Sequence, residues 1–132
     1  MVFLLLYLLL RKEKKMKNYT KTSSEQSART ELHDKLDLTG AEISINKLGR
    51  GECVPFVHSH RENEEIYFIL SGKGKASIDG ENVQVSKGDW IRISPDGRRQ
   101  FEASSDSGLE YICIQVREGS LQHYTATDAI VG

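Results

Sequence analysis

From residue 41 to residue 117, apolar and polar positions alternate in short runs, each stopped by a turn that usually contains glycine. This period of two is the mark of β-strands with one face in a core. The pattern predicts strands over 41–48, 52–60, 65–70, 75–79, 82–86, 90–94, 100–104 and 109–117. Asp79-Gly80-Glu81 between two of them is a hairpin signal, because Asp-Gly tolerates the positive φ of a tight turn. Gly72-Lys73-Gly74 is read as the end of the strand that begins at Glu65. Pro55 inside 52–60 predicts an edge or irregular strand there. Ile66, Phe68 and Leu70 lie on one face of their strand, and Tyr67 and Ile69 on the other. With both faces apolar, the strand is expected in a packed or dimerised sandwich. Leu32, Leu36 and Leu38 suit either a short helical turn or an early strand laid on the barrel. Many short strands with glycine turns give an all-β fold, a small antiparallel β-barrel.

The 132-residue length fits one domain, expected over residues 32–117. An N-terminal arm, 1–31, and a polar tail, 118–132, flank it. Residues 19–30 are polar and aperiodic. The run Val2 to Leu10 is apolar and precedes the basic tract 11–15. Nine residues are too few to span a bilayer as a helix, and the charge order is the reverse of a signal peptide. Met16 is therefore expected to be the real start. Residues 1–15 are then extraneous, or the run packs against a neighbour, and a membrane role is not expected. The 18 basic and 19 acidic residues nearly balance, so no nucleic-acid partner is implied. Cys53 and Cys113 sit in no C-x-x-C arrangement and are expected as free thiols of a cytoplasmic protein.

The chemistry concentrates at His58-Ser59-His60 and Glu65. Histidines at i and i+2 on a strand point the same way, and antiparallel neighbours lie about 4.8 Å apart, so a carboxylate on the next strand can meet them. Two imidazoles and a carboxylate suit one divalent metal, with Fe, Mn, Zn and Ni all admitted by the donor set. Tyr67 shares the parity of Glu65 and is a candidate for the cavity wall, as a substrate-positioning group or acid. Arg92, Arg98 and Arg99 are candidates for binding a carboxylate or phosphate. Trp90 is expected to point away from the cavity. His33 and His123 are expected outside the site.

These residues resemble the two motifs of the cupin superfamily, in particular its small single-domain members. The first motif reads Gly51, six residues, His58-Ser-His60, four residues, Glu65, six residues, Gly72. Its leading gap is one residue longer than usual. The second reads Gly88-Asp89, an apolar strand, then Pro95-Asp-Gly97-Arg-Arg-Gln100, with the strand one residue longer than usual. The resemblance implies a double-stranded β-helix of jelly-roll type. It places Gln100 where a third metal-binding histidine is expected, either as a weak amide ligand or as a group orienting water or substrate beside a metal held by the first three residues alone. Glu102, of the same parity as Gln100, is a candidate general base. The resemblance also implies a homodimer with a small-molecule substrate or ligand. A metal-dependent enzyme acting on a sugar, sugar acid or keto acid, as isomerase, dioxygenase or related catalyst, is the leading expectation. A non-catalytic ligand-binding or sensing barrel is the alternative.

Overall fold

A computed structural model of the chain describes residues 2–5 and 18–132. Residues 2–5 are helical and exposed. The rest of the N-terminal apolar run and the basic tract lie outside the described residues. So do most of the residues on which the expected start at Met16 turns. Among the described residues, no helix is long and apolar enough to cross a membrane.

The fold is mostly antiparallel β-sheet. Its elements are β1 (Arg29–Glu31), the one-turn helix α1 (His33–Leu36), β2 (Glu42–Leu48), β3 (Asn63–Ile78), β4 (Glu81–Ser86), β5 (Trp90–Ile93), β6 (Arg99–Ala103) and β7 (Leu109–Arg117). A 3-10 turn at Thr125–Thr127 follows in the tail. β1 lies within the polar segment read as an arm and pairs with β2. The leucines around 32–38 fall on and beside α1 rather than on a strand.

β3 joins the structure. Its first half pairs with β7 and β5, and its second half with β4 and β6. Two sheets thus share one 16-residue strand. Gly72-Lys-Gly74 does not end this strand, as the sequence pattern suggested, but lets it bend. The register against β7 shifts between Ile69 and Ser71, and Gly72 follows with φ +78°. A Cβ at Gly72 would overlap the carbonyl of Gly108, and one at Gly74 the carbonyl of Glu102. Backbones therefore pass at a distance that only hydrogen atoms allow.

The expected strand over 52–60 is not regular. Only isolated bridges form, Cys53 with Glu102 and His58 with Arg99. Pro55 has no N–H to give, which interrupts the ladder. The segment is still pinned to β6, through Val54 N–H to Phe101 O at 2.9 Å and Ala103 N–H to Glu52 O at 2.9 Å.

Inward positions form the core: Tyr67, Ile69, Ala76, Val85, Ile93, Phe101, Ala103, Leu109, Tyr111 and Cys113. Phe101 stacks on Tyr67 at 4.4 Å and on Tyr111 at 5.0 Å between ring centroids. Outward positions of the larger sheet are also apolar. The register sets Ile43 and Ile66 beside Ile114, and Ile45 and Phe68 beside Ile112. Trp90 extends this face, stacked on Phe68 at 4.3 Å and 63 % exposed. It points away from the core, as its parity predicted.

The bend yields a stability prediction. Gly72→Ala should cost at least about 2 kcal/mol, combining a left-handed backbone with a main-chain clash. Gly88→Ala, also at positive φ but with open space around it, should cost only about 1 kcal/mol. Urea unfolding of the two variants checks the difference.

Candidate metal centre

Three elements bring the site together. The pinned 52–60 segment supplies His58 and His60, β3 supplies Glu65, and β6 supplies Arg99. His58 N–H donates to Arg99 O at 3.1 Å, and Arg99 N–H returns to His58 O at 2.9 Å. His60 N–H donates to Pro95 O at 2.8 Å. The two imidazoles stand edge to face, with centroids 5.1 Å apart. Their Nε2 atoms lie 3.5 Å (His58) and 3.3 Å (His60) from Glu65 Oε1. One ligand atom from each residue falls within 4.8 Å of the others. Cis ligands on a metal with bonds of about 2.1 Å sit roughly 3 Å apart, so the two imidazole-to-carboxylate separations suit a single ion. His60 Nε2, buried and without a hydrogen-bond partner, is a free imidazole donor beside the carboxylate.

Glu65 is buried and densely contacted. Tyr67 Oη–H donates to its Oε1 at 2.7 Å, and Cys113 Sγ–H to its Oε2 at 3.0 Å. Arg99 Nε is 3.6 Å from Oε1. Burial by itself would raise the carboxyl's pKa. The bonds from Cys113 and Tyr67, with His60 and Arg99 close by, outweigh it and hold the group below the ordinary carboxylate value. Burial lowers His58, and the neighbouring His60 and Arg99 lower it further against the pull of Glu65. Burial pushes the Tyr67 hydroxyl and the Cys113 thiol well up, so both keep their protons and act as donors.

A family model described as "Cupin domain" matches residues 47–115, more than half of the chain. The chain belongs to the cupin family. Among solved structures, a cupin protein from Bacteroides fragilis is 62 % identical, with a TM-score of 0.86 over 89 % of this chain and 99 % of that one. A predicted oxalate decarboxylase from Thermotoga maritima is 27 % identical, with a TM-score of 0.54 over 57 % of this chain and 64 % of that one. An uncharacterised protein of Methanocaldococcus jannaschii is 39 % identical over 57 residues, 43 % of this chain and 46 % of its own length. The chain thus spans less than half of that curated relative.

Within the cupin barrel, His58, His60, Glu65, Tyr67, Arg99 and Gln100 all line one cavity of about 510 Å³. Gln100 commits its amide nitrogen to Val54 O at 2.6 Å, and Arg99 is the β6 residue beside Glu65. β6 buries Arg99, Phe101 and Ala103 on one parity, and Gln100 and Glu102 have the other. Spacing held this signal. Counted from Gly88 with the family's shorter strand, the third-histidine position falls on residue 99. Counted from Pro95 and Gly97, it falls on 100. Other expected residues lie elsewhere. Glu102 pairs with Lys75 at 3.1 Å and lines a separate cleft, so it is not placed to act as a base in the cavity. Arg92 is exposed and pairs with Glu64 and Glu118. Arg98 is also exposed, with its backbone N–H on Asp79 Oδ1. Neither lines the cavity. His33 and His123 are exposed and away from it, and both cysteines are free, as expected.

The shifts fix a pH response in metal-free protein. The unfolded chain protonates His58 near its ordinary value of 6.5, while the folded chain resists. Stability should therefore fall as pH drops below about 6.5. Glu65 is the depressed-carboxylate case. Its stabilisation is full above the ordinary 4.5 and is lost as pH falls through its lower folded value. Melting temperatures in chelator from pH 7.5 down to about 2.5 should show both declines, and His58→Gln should flatten the first.

Proposed function

We propose that this cupin is a metal-dependent enzyme acting on a small oxygenated molecule, a sugar, sugar acid or keto acid, working as a cytoplasmic homodimer. The observation that carries this reading is the convergence of His58, His60 and Glu65 in a cavity large enough for such a molecule. A bound divalent ion would supply Lewis acidity toward a carbonyl or enolate oxygen. The protein's own part is positional. Tyr67 and Cys113 hold the Glu65 carboxylate ionised and aimed at the histidines. Ser44, Asn46 and Gln115 give the cavity polar groups for hydroxyls or a carboxylate. The likeness to a predicted oxalate decarboxylase supports a small acid among the candidate substrates. The buried guanidinium of Arg99 favours a second reading, a ligand-binding barrel without catalysis.

Elemental analysis of protein purified without an affinity tag tests the metal. We expect about one divalent ion per chain, lost in His58→Ala. A folded parent that stays metal-free after incubation with iron, manganese, zinc and nickel would sink the enzyme reading and leave the binding barrel. Turnover assays across sugars, sugar acids and keto acids then test catalysis.

The outer apolar face supports the dimer. Ile43, Ile45, Ile66, Phe68, Ile112, Ile114 and Trp90 form one continuous surface, which is costly to leave in water. Light scattering at micromolar concentration should give twice the 14.9 kDa chain mass, and Phe68→Glu should shift it toward the monomer. A monomeric parent would count against this assembly.

A further inference from the structure

Beside the Glu65 carboxylate, β6 places a buried guanidinium. Arg99 has no exposed side-chain surface. Its main chain exchanges two hydrogen bonds with His58, which fixes it opposite the histidines. Its Nη2 donates to Ser94 O at 3.0 Å, while Nε and Nη1 are buried without a hydrogen-bond partner. Nε lies 3.6 Å from Glu65 Oε1, the same oxygen that both histidine Nε2 atoms approach.

A guanidinium does not lose its proton in a protein. Arg99 is therefore a permanent positive charge beside the only anionic ligand of the centre. Without a metal, Glu65 and Arg99 balance each other's charge, and Tyr67 and Cys113 complete the carboxylate's contacts. A divalent ion joining His58, His60 and Glu65 enters next to that cation and must share Oε1 with it. A neutral imidazole at the same place would add a ligand and no charge.

We propose that Arg99 tunes the metal affinity of this centre: its guanidinium competes with the divalent ion for Glu65 Oε1, so the metal is held more weakly than it would be beside a neutral residue. Arg99 is thereby a positioning residue for Glu65 in the metal-free state and an electrostatic brake on loading. The proposal rests on the metal reading above and is tested so that the two fail separately.

The experiment is calorimetric titration of chelator-stripped, tag-free protein with Mn²⁺ and with Zn²⁺. The parent, Arg99→His and Arg99→Lys are compared, each checked by circular dichroism and by its metal-free melting temperature. Arg99→His should bind at least about tenfold more tightly than the parent, the scale on which neighbours of a metal site act. It should also melt lower without metal, because Glu65 loses its counter-charge. Arg99→Lys keeps the charge and should stay near the parent's affinity. Arg99→His no tighter than the parent, or Arg99→Lys as tight as Arg99→His, overturns the proposal. If Arg99→His does not fold, Arg99→Gln carries the test: tighter binding supports the competition, and weaker binding than the parent overturns it. A metal-free parent beside a metal-binding Arg99→His sinks the enzyme reading while supporting the role of Arg99. Parent and variant both tight leaves the metal reading and removes this one. Neither binding removes both.

Discussion

A single buried carboxylate organises the functional end of this barrel. Glu65 is taken out of water, and an ionised group there is tolerated only if it is paired and hydrogen-bonded. The chain supplies a donor to each oxygen, Tyr67 to Oε1 and Cys113 to Oε2, and a guanidinium alongside. Each comes from a different register position of β3, β7 or β6, so the site forms only when the sheets do. Breaking such a pair by removing one partner typically costs about 3–5 kcal/mol, which couples the stability of the barrel to the chemistry of its cavity.

The same strand that carries Glu65 also holds the two sheets together. β3 passes from one partner set to the other at Gly72 to Gly74, where it lies against the Gly108 and Glu102 backbones. Upstream of the bend, alternate residues enter the cavity as Glu65 and Tyr67. Downstream, Ala76 continues the inward face into the core. The aromatic trio of Tyr67, Phe101 and Tyr111 packs beside the centre and fixes the ring whose hydroxyl reaches Glu65. Positioning the carboxylate and building the core are thus parts of one packing arrangement.

A buried guanidinium sets the charge of this candidate centre. His58, His60 and Glu65 converge as candidate ligands, and beside them stands a cation that already has a claim on the shared carboxylate. A centre of this kind is neutral and self-contained when empty, unlike a set of clustered ligands that depends on its ion for charge balance. That difference bears on whether the barrel is read as a catalyst or as a binding module.

Much of this was legible in the sequence. Period-two alternation and the glycine turns marked most strands, and parity alone separated Tyr67 from Trp90. His58, His60 and Glu65 could be grouped because spacing on adjacent strands is a local matter, fixed by the pleat. What alternation cannot express is continuity through a bend. Gly72 and Gly74 look like a stop until the backbones they must clear are known. Nor could spacing choose between Arg99 and Gln100, since the long strand before Pro95 shifts one count and not the other. Only the pairing of β6 with β3 settles the parity, burying Arg99, Phe101 and Ala103 and turning Gln100 to the Val54 carbonyl. The sequence determined which residues were able to form a centre. The tertiary register decided which cation stands beside it, because burial forces every charged group inside to answer to its neighbours in space.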